Sequence, residues 1–226
     1  MRPFVYVNMA MSADGKITSA RREYPELTSR HDRDHMDRLR AEADAILVGA
    51  GTLRADDPLL HVRSEEMRAH RRRLGKPDGL DRVVVTARLD LGTGSRFFDR
   101  AHGGRRIVAT VEDAPPDRIA ALGELAEVWR DGRGRVDLAT VLRRLREQGV
   151  ERLLVEGGGE TNWALVHDDL VDELHVTVAP WLLGGRDAPT LLEGAGFAMA
   201  GRRALRLTDV RRIDDELYLR YTIVRP

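Results

Sequence analysis

The chain contains no cysteine. Disulfides, thiolate nucleophiles and thiolate zinc sites are excluded together. A metal would have to rely on His and carboxylates, yet the seven histidines show no His-Glu-x-x-His or similarly tight spacing, so no metal is expected. Lysine is nearly absent: Lys16 and Lys76 are the only two among 37 basic residues, and arginine carries the rest. The formal net charge is zero, so no global field draws the chain to nucleic acid or to an anionic membrane. Arg71-Arg72-Arg73 is a local exception. It has no interleaved aromatics, and the stretch from Glu65 to Gly79 reads as a polar surface helix or loop rather than a nucleic-acid interface. Long apolar runs are also missing. Nothing approaches the roughly 20 residues of a membrane span, and Met1 to Val7 is too short for a signal peptide, so a cytoplasmic protein is expected.

What is present is 226 residues with 42% hydrophobic and 33% charged content. That suits a single globular domain over residues 1–226 with a sizeable core. Strands are expected at Phe4 to Met9, Ala45 to Val48, Val83 to Val85, Arg106 to Thr110, Leu125 to Trp129, Leu153 to Val155 and Glu173 to Val178, and near Leu205 to Val210 and Leu217 to Val224. Helices are expected from Ser29 to Glu42 with Thr28 or Ser29 as cap, from Arg118 to Gly123, after the Asp137 cap, and through Trp163, Leu165, Val166 and Leu170. Trp181 to Gly196 reads as one long irregular segment. Alternating strands and helices imply an α/β fold with a mostly parallel sheet, and the closing strand-loop-strand implies an antiparallel C-terminal edge.

Val155-Glu156-Gly157-Gly158-Gly159-Glu160-Thr161-Asn162-Trp163 places three glycines where a strand hands over to a helix. Unpaired N–H groups and the positive end of the helix dipole meet there, which suits a phosphate or pyrophosphate; a plain tight turn is the alternative. Gly49-Ala50-Gly51-Thr52 is a second such break, followed by Asp56-Asp57-Pro58. The polar stretch Asn8 to Lys16 follows the first strand, and its Asp14-Gly15 signals a turn. Sites in α/β proteins are built at such strand ends. Arg38 and Arg40 read, by position alone, as exposed helix charges.

These motifs resemble those of the riboflavin-biosynthesis reductases, a dihydrofolate-reductase-like family that reduces a ribosylaminopyrimidine 5′-phosphate with NADPH. The similarity rests on Met11-Ser12-Ala13-Asp14-Gly15-Lys16, Ala45 to Thr52, Asp56-Asp57-Pro58, Val155 to Gly159 and Leu170-Val171-Asp172-Glu173-Leu174, and Ala188-Pro189-Thr190 is similar to the stand-alone form. The resemblance implies a three-layer fold and a cofactor held by Gly157, Gly158, Gly159, Glu160 and Thr161, with Thr52 and Asp56 also in contact and Thr18 beside the nicotinamide. It puts Thr86, Ala87 and Arg88 at the adenosine 2′-phosphate. Relatives often carry serine where Ala87 stands, so NADH is the alternative cofactor. Substrate contacts implied are Lys16, Arg40, Leu60 through its backbone, Arg63 and Glu156, with Arg40 and Arg63 clamping the 5′-phosphate.

For this chemistry Lys16 and Glu156 are the catalytic candidates, with Asp57 and His61 in reserve as proton donors; no dedicated catalytic dyad is visible, and the resemblance does not force one. By the resemblance a homodimer is expected, to which Leu182 to Gly196 would contribute. The cysteine-dependent deaminase chemistry of bifunctional relatives is expected to be absent. Two other readings keep the fold: a reductase of another pyrimidine or pterin-like compound, and a nucleotide-binding protein without catalysis.

Overall fold

The computed structural model describes residues 1–23 and 27–225. Among them the chain forms nine strands and six α-helices, and it divides into two compact units. One comprises Met1–Phe4 and Asp37–Leu154, the other Val5–Met36 and Val155–Pro226.

In the first unit, β2 (Ala45–Gly49), β3 (Asp81–Val85), β4 (Arg106–Thr110) and β5 (Glu127–Arg130) pair in parallel, and β6 (Arg152–Val155) lies beside β2. Every residue of β2 is buried, as a strand covered on both faces requires. α5 (Leu138–Glu147) buries Leu138, Val141, Leu142 and Leu145, one helical stripe, and the Asp137 carboxylate accepts from Thr140 N at 3.1 Å as its cap. α4 (Pro116–Gly123) starts on a proline, whose fixed φ suits a first helical turn. Gly49 is extended, and α2 (Ala50–Asp56) follows it at once, so Gly51 and Thr52 are helical rather than part of a glycine loop.

The arginine run corrects the sequence expectation. α3 (Glu65–Arg73) is capped by Ser64 Oγ, which accepts from Met67 N at 3.2 Å, but it is not polar all round. Arg71 is only 1% exposed. Its Nη1 donates to Ala41 O at 3.3 Å, to Arg40 O at 3.4 Å and to Ala43 O, its Nε to Pro77 O, and its Nη2 to Gly79 O at 3.2 Å. The guanidinium thus closes the C-terminus of α1 (Arg30–Glu42), where carbonyls lack helical partners and a cation is favoured.

In the second unit, β1 (Phe4–Ser12) pairs in parallel with β7 (Glu173–Ala179). β1 runs past the expected Met9 because Met9 to Ser12 pair with Val176 to Ala179. β9 (Glu216–Val224) is antiparallel to β7, and β8 (Ala204–Ile213) is antiparallel to β9 as the edge strand. The expected parallel sheet with an antiparallel C-terminal edge is therefore present. The start of α1 is anchored here: Glu216 accepts from Ser29 N at 2.6 Å and Ser29 Oγ at 2.7 Å, and Asp32 accepts from Thr177 Oγ1 at 2.6 Å and Thr28 Oγ1 at 2.8 Å. Burial pushes the Asp32 carboxyl above its usual range, although both threonine hydroxyls favour its ionised form.

A register shift between Leu207 and Asp209 inserts one residue into β8. After the bulge the side-chain alternation resumes one position later, so Leu205, Leu207 and Val210 share a face with Leu217 of β9. All four are exposed.

Candidate active site

In the second unit, Glu156 follows β6 half-buried, and the chain then turns at Gly157, whose φ of +93° suits glycine. The Gly157–Gly158 peptide is cis. α6 (Gly159–His167) begins immediately, and its N-cap Gly158 offers no side-chain acceptor to the first turn. The leading N–H groups are thus left without a capping side chain, the donor set an anionic pyrophosphate takes. The missing side chains, however, serve packing. A Cβ on Gly157 would lie 2.6 Å from Met9 Cε, and one on Gly159 would strike Glu193 Cγ and lie 2.7 Å from Thr190 O.

The Lys16 loop is built from Ser12 and Asp14. Ser12 Oγ donates to Asp14 at 2.6 Å and accepts from Lys16 N at 2.9 Å. Asp14 in turn accepts from Leu183 N at 3.1 Å and Gly184 N at 2.6 Å. The Ser12 hydroxyl first, then these two N–H groups, hold its pKa down to about 2. Lys16 Nζ donates to Ala188 O at 3.0 Å, and Lys16 bridges Thr190 as an isolated antiparallel pair. Thr18 is buried, its hydroxyl donating to Glu23 O.

The segment Trp181 to Gly196 is irregular, as expected, but it is the part that gathers the others. It meets the Lys16 loop at Leu183, Gly184 and Ala188, and it meets α6 where Glu193 N donates to Gly159 O at 3.0 Å. Thr190 Oγ1 donates to Glu193 at 2.7 Å, which fixes that carboxylate. Thr190 was named only as part of the Ala188-Pro189-Thr190 motif, without a role, and Glu193 was not singled out from the sequence. Their one signal was a short hydroxyl and a carboxylate three apart, a spacing at which the two bond locally.

In the first unit, two residues of α1 hold the segment 59–64 from opposite chemical sides. Asp37, 3% exposed, accepts from Arg63 N at 2.6 Å and Ser64 N at 2.8 Å. Arg40, equally buried, donates Nη1 to Leu59 O at 2.9 Å and His61 O at 3.0 Å. Arg40 is therefore not the exposed helix charge its position suggests. Arg63 itself is exposed and Leu60 is buried. The His61 ring stacks on His102 at 3.8 Å between centroids. Burial first, then the charges of His102 and Arg40, bring its pKa down to about 4, so at neutral pH the ring is neutral and has no imidazolium proton to give as an acid.

Asp57 is likewise occupied. It accepts from Ser95 Oγ at 2.5 Å and from Arg96 N at 3.1 Å. Burial alone would raise its pKa, but these bonds outweigh it and hold the carboxyl below its usual range. Thr52 is half-buried in α2 and Asp56 exposed at its end. Thr86 is buried and its Oγ1 accepts from Leu89 N at 3.0 Å, forming a turn that leaves Ala87 and Arg88 exposed.

Among known proteins, the chain is 40% identical over 215 residues, 95% of each partner, to the 2,5-diamino-6-ribosylamino-4(3H)-pyrimidinone 5′-phosphate reductase of Archaeoglobus fulgidus. Its fold superposes on a pyrimidine reductase-like protein from Corynebacterium diphtheriae with a TM-score of 0.86 at 21% identity, covering 99% of this chain and 93% of that one. A more distant likeness, TM-score 0.51 at 11% identity over 97% and 96% of the two chains, is to dihydrofolate reductase from Enterococcus faecalis. The sheet is thus dihydrofolate-reductase-like, as the motifs imply. Residues 3–219 match the model described as the RibD C-terminal domain, and with nearly the whole sequence inside that match the chain belongs to this family of reductase domains.

Proposed function

We propose that the chain is a cytoplasmic NADPH-dependent reductase that converts the ribosylamino side chain of a pyrimidine 5′-phosphate to ribitylamino in riboflavin biosynthesis, working as one domain over residues 1–226. The observation that carries this reading is the 40% identity to the archaeal reductase along 95% of both chains.

The chemistry sets the roles. A closed ribose has no acceptor carbon, so the sugar opens to an imine at C1′. A dihydronicotinamide supplies the hydride that C1′ accepts, and the imine nitrogen takes up one proton. In this reading Glu156 accepts hydrogen bonds from the pyrimidine amino groups. Lys16 orients the sugar hydroxyls and donates the proton for ring opening. Arg63 and the Leu60 backbone hold the 5′-phosphate, and Arg40 adds its charge while supporting their segment. Gly157, Gly158, Gly159, Glu160 and Thr161 hold the cofactor pyrophosphate through main-chain N–H groups, Thr52 and Asp56 contact the cofactor, and Thr18 lies beside its nicotinamide. Thr86, Ala87 and Arg88 read the 2′-phosphate, with the Arg88 guanidinium favouring NADPH over NADH. The exposed apolar residues of β8 and β9 support a homodimer.

The test is NADPH oxidation by purified protein with the ribosylaminopyrimidine phosphate. Turnover is expected, with Glu156→Gln lowering kcat far more than NADPH affinity and Arg63→Ala raising KM. Binding of NADPH without turnover would refute the enzymatic reading, and turnover only with a different pyrimidine or a pterin would move the substrate. Sedimentation should give a dimer at micromolar concentration, and a monomer there refutes the assembly.

A further inference from the structure

In the first unit, the turn from Thr86 to Asp90, which the proposed function gives to the cofactor's 2′-phosphate, carries two side chains of opposite charge, Arg88 and Asp90. A carboxylate two residues beyond the arginine works against such a site. It repels a phosphate, and carboxylates in dinucleotide sites accept from the ribose 2′-hydroxyl of the unphosphorylated cofactor.

In this chain that carboxylate is engaged from the neighbouring helix. Arg54 Nη1 donates to Asp90 Oδ1 at 2.7 Å. Arg54 stands on α2 between Thr52 and Asp56, the two residues given to the same cofactor, and its guanidinium folds back over the helix, with Nη2 4.0 Å from where a Cβ on Gly51 would lie. The backbone that carries Asp90 is set independently of this pair. Leu89 is buried at a φ of +53°, its N–H is held by Thr86 Oγ1, and Arg118 of α4 donates to Arg88 O at 2.8 Å. Only the Asp90 side chain is left for Arg54 to govern. The two side chains are 49% and 35% exposed, so as an ion pair they add little to stability. What the pair supplies is charge: with Asp90 neutralised, the positive charge of Arg88 stands uncancelled.

We propose that Arg54 and Asp90 form a cofactor-specificity pair, in which Arg54 keeps the Asp90 carboxylate from the ribose and the turn positive, so that the 2′-phosphorylated cofactor is preferred. The inference rests on the reading that this turn meets the 2′-phosphate. Arg54 acts through Asp90 and is a positioning residue.

The test measures dissociation constants for NADP⁺ and NAD⁺ by titration calorimetry on the full chain without substrate. Wild type is expected to bind NADP⁺ more tightly. Arg54→Gln should weaken NADP⁺ about tenfold, the effect of one uncompensated charge near a phosphate, while NAD⁺ binding holds or tightens slightly. Adding Asp90→Asn should bring NADP⁺ back to within about threefold of wild type, since no charge is then left to neutralise, and Arg54→Lys should retain the preference. A pair that only braced the backbone would move both cofactors together. Equal loss of both, an unaltered preference in Arg54→Gln, or no recovery in the double variant overturns the pair alone. If wild type binds the two cofactors equally, or Arg88→Ala keeps the full preference for NADP⁺, the 2′-phosphate reading of the turn falls and the pair falls with it.

Discussion

Replacing Arg71 with methionine keeps much of the side chain's apolar length and removes only its donors. Five main-chain carbonyls lose a bond: Arg40, Ala41 and Ala43 around the end of α1, and Pro77 and Gly79 in the loop after α3. Hydrogen bonds from a charged group contribute about 1.5–3 kcal/mol each when well made. Two of these are long, at 3.3 and 3.4 Å, and all five share one guanidinium, so they do not add in full. A buried acceptor left without its donor costs about 1–3 kcal/mol, so with several carbonyls affected but not additively the expected loss is about 3–5 kcal/mol. For a chain of this size each kcal/mol lowers Tm by about 2–4 °C, which puts the fall at about 6–20 °C. Arg73, two residues on, is exposed and supplies the control, since surface substitutions stay within about 0.5 kcal/mol. Thermal unfolding followed by circular dichroism gives both numbers. If Arg71→Met and Arg73→Met lower Tm equally, or Arg71→Met costs less than about 1 kcal/mol, Arg71 is not the clamp at the end of α1.

Three further outcomes are expected. His61 is held neutral, so between its ordinary value near 6.5 and its folded value of about 4 the unfolded chain binds more protons than the folded one, and stability should fall as pH drops through that window, then level off below it; an imidazole resonance of His61 titrating near 6.5 would contradict the burial described. Gly159→Ala should destabilise the fold by about 1–3 kcal/mol through collision with Glu193 and Thr190, measured without cofactor by urea unfolding, and an unchanged midpoint would show that the segment yields freely. Asp14→Asn removes the charge that anchors Leu183 and Gly184, so their amide protons should exchange faster while those of β1 do not, and unaltered protection at both positions would rule out the anchor.

Much of the fold was legible because strands and helices here follow their hydrophobic periods. Leu138, Val141, Leu142 and Leu145 declare one helix face, and Ala45 to Val48 declare a doubly covered strand. What stayed hidden depended on partners distant in sequence. Nothing in a run of three arginines says that the first member turns inward; only Met67, four residues earlier on the same face, hints at it. Arg40 read as solvated for the same reason, since its partners at Leu59 and His61 arrive from another segment. The bulge at Leu207 to Asp209 was equally silent, and with it the side on which the apolar residues of β8 emerge. Of the candidate site, the glycine turn and the Ser12–Lys16 loop were visible as motifs. Glu193 was not, and the pairing of Thr190 with it was not, because irregular backbone carries no period from which to infer contact.

The packing around Gly157 and Gly159 bears on how such a sequence is inherited. Met9 fills the space beside one glycine and Glu193 with Thr190 the space beside the other. A descendant with another chemistry would still be held to glycine at both positions, at Gly157 by its positive φ and at Gly159 by the Thr190 carbonyl a Cβ would meet. In a lineage of such chains, persistence of the run therefore records descent from the fold and not retention of any one chemistry.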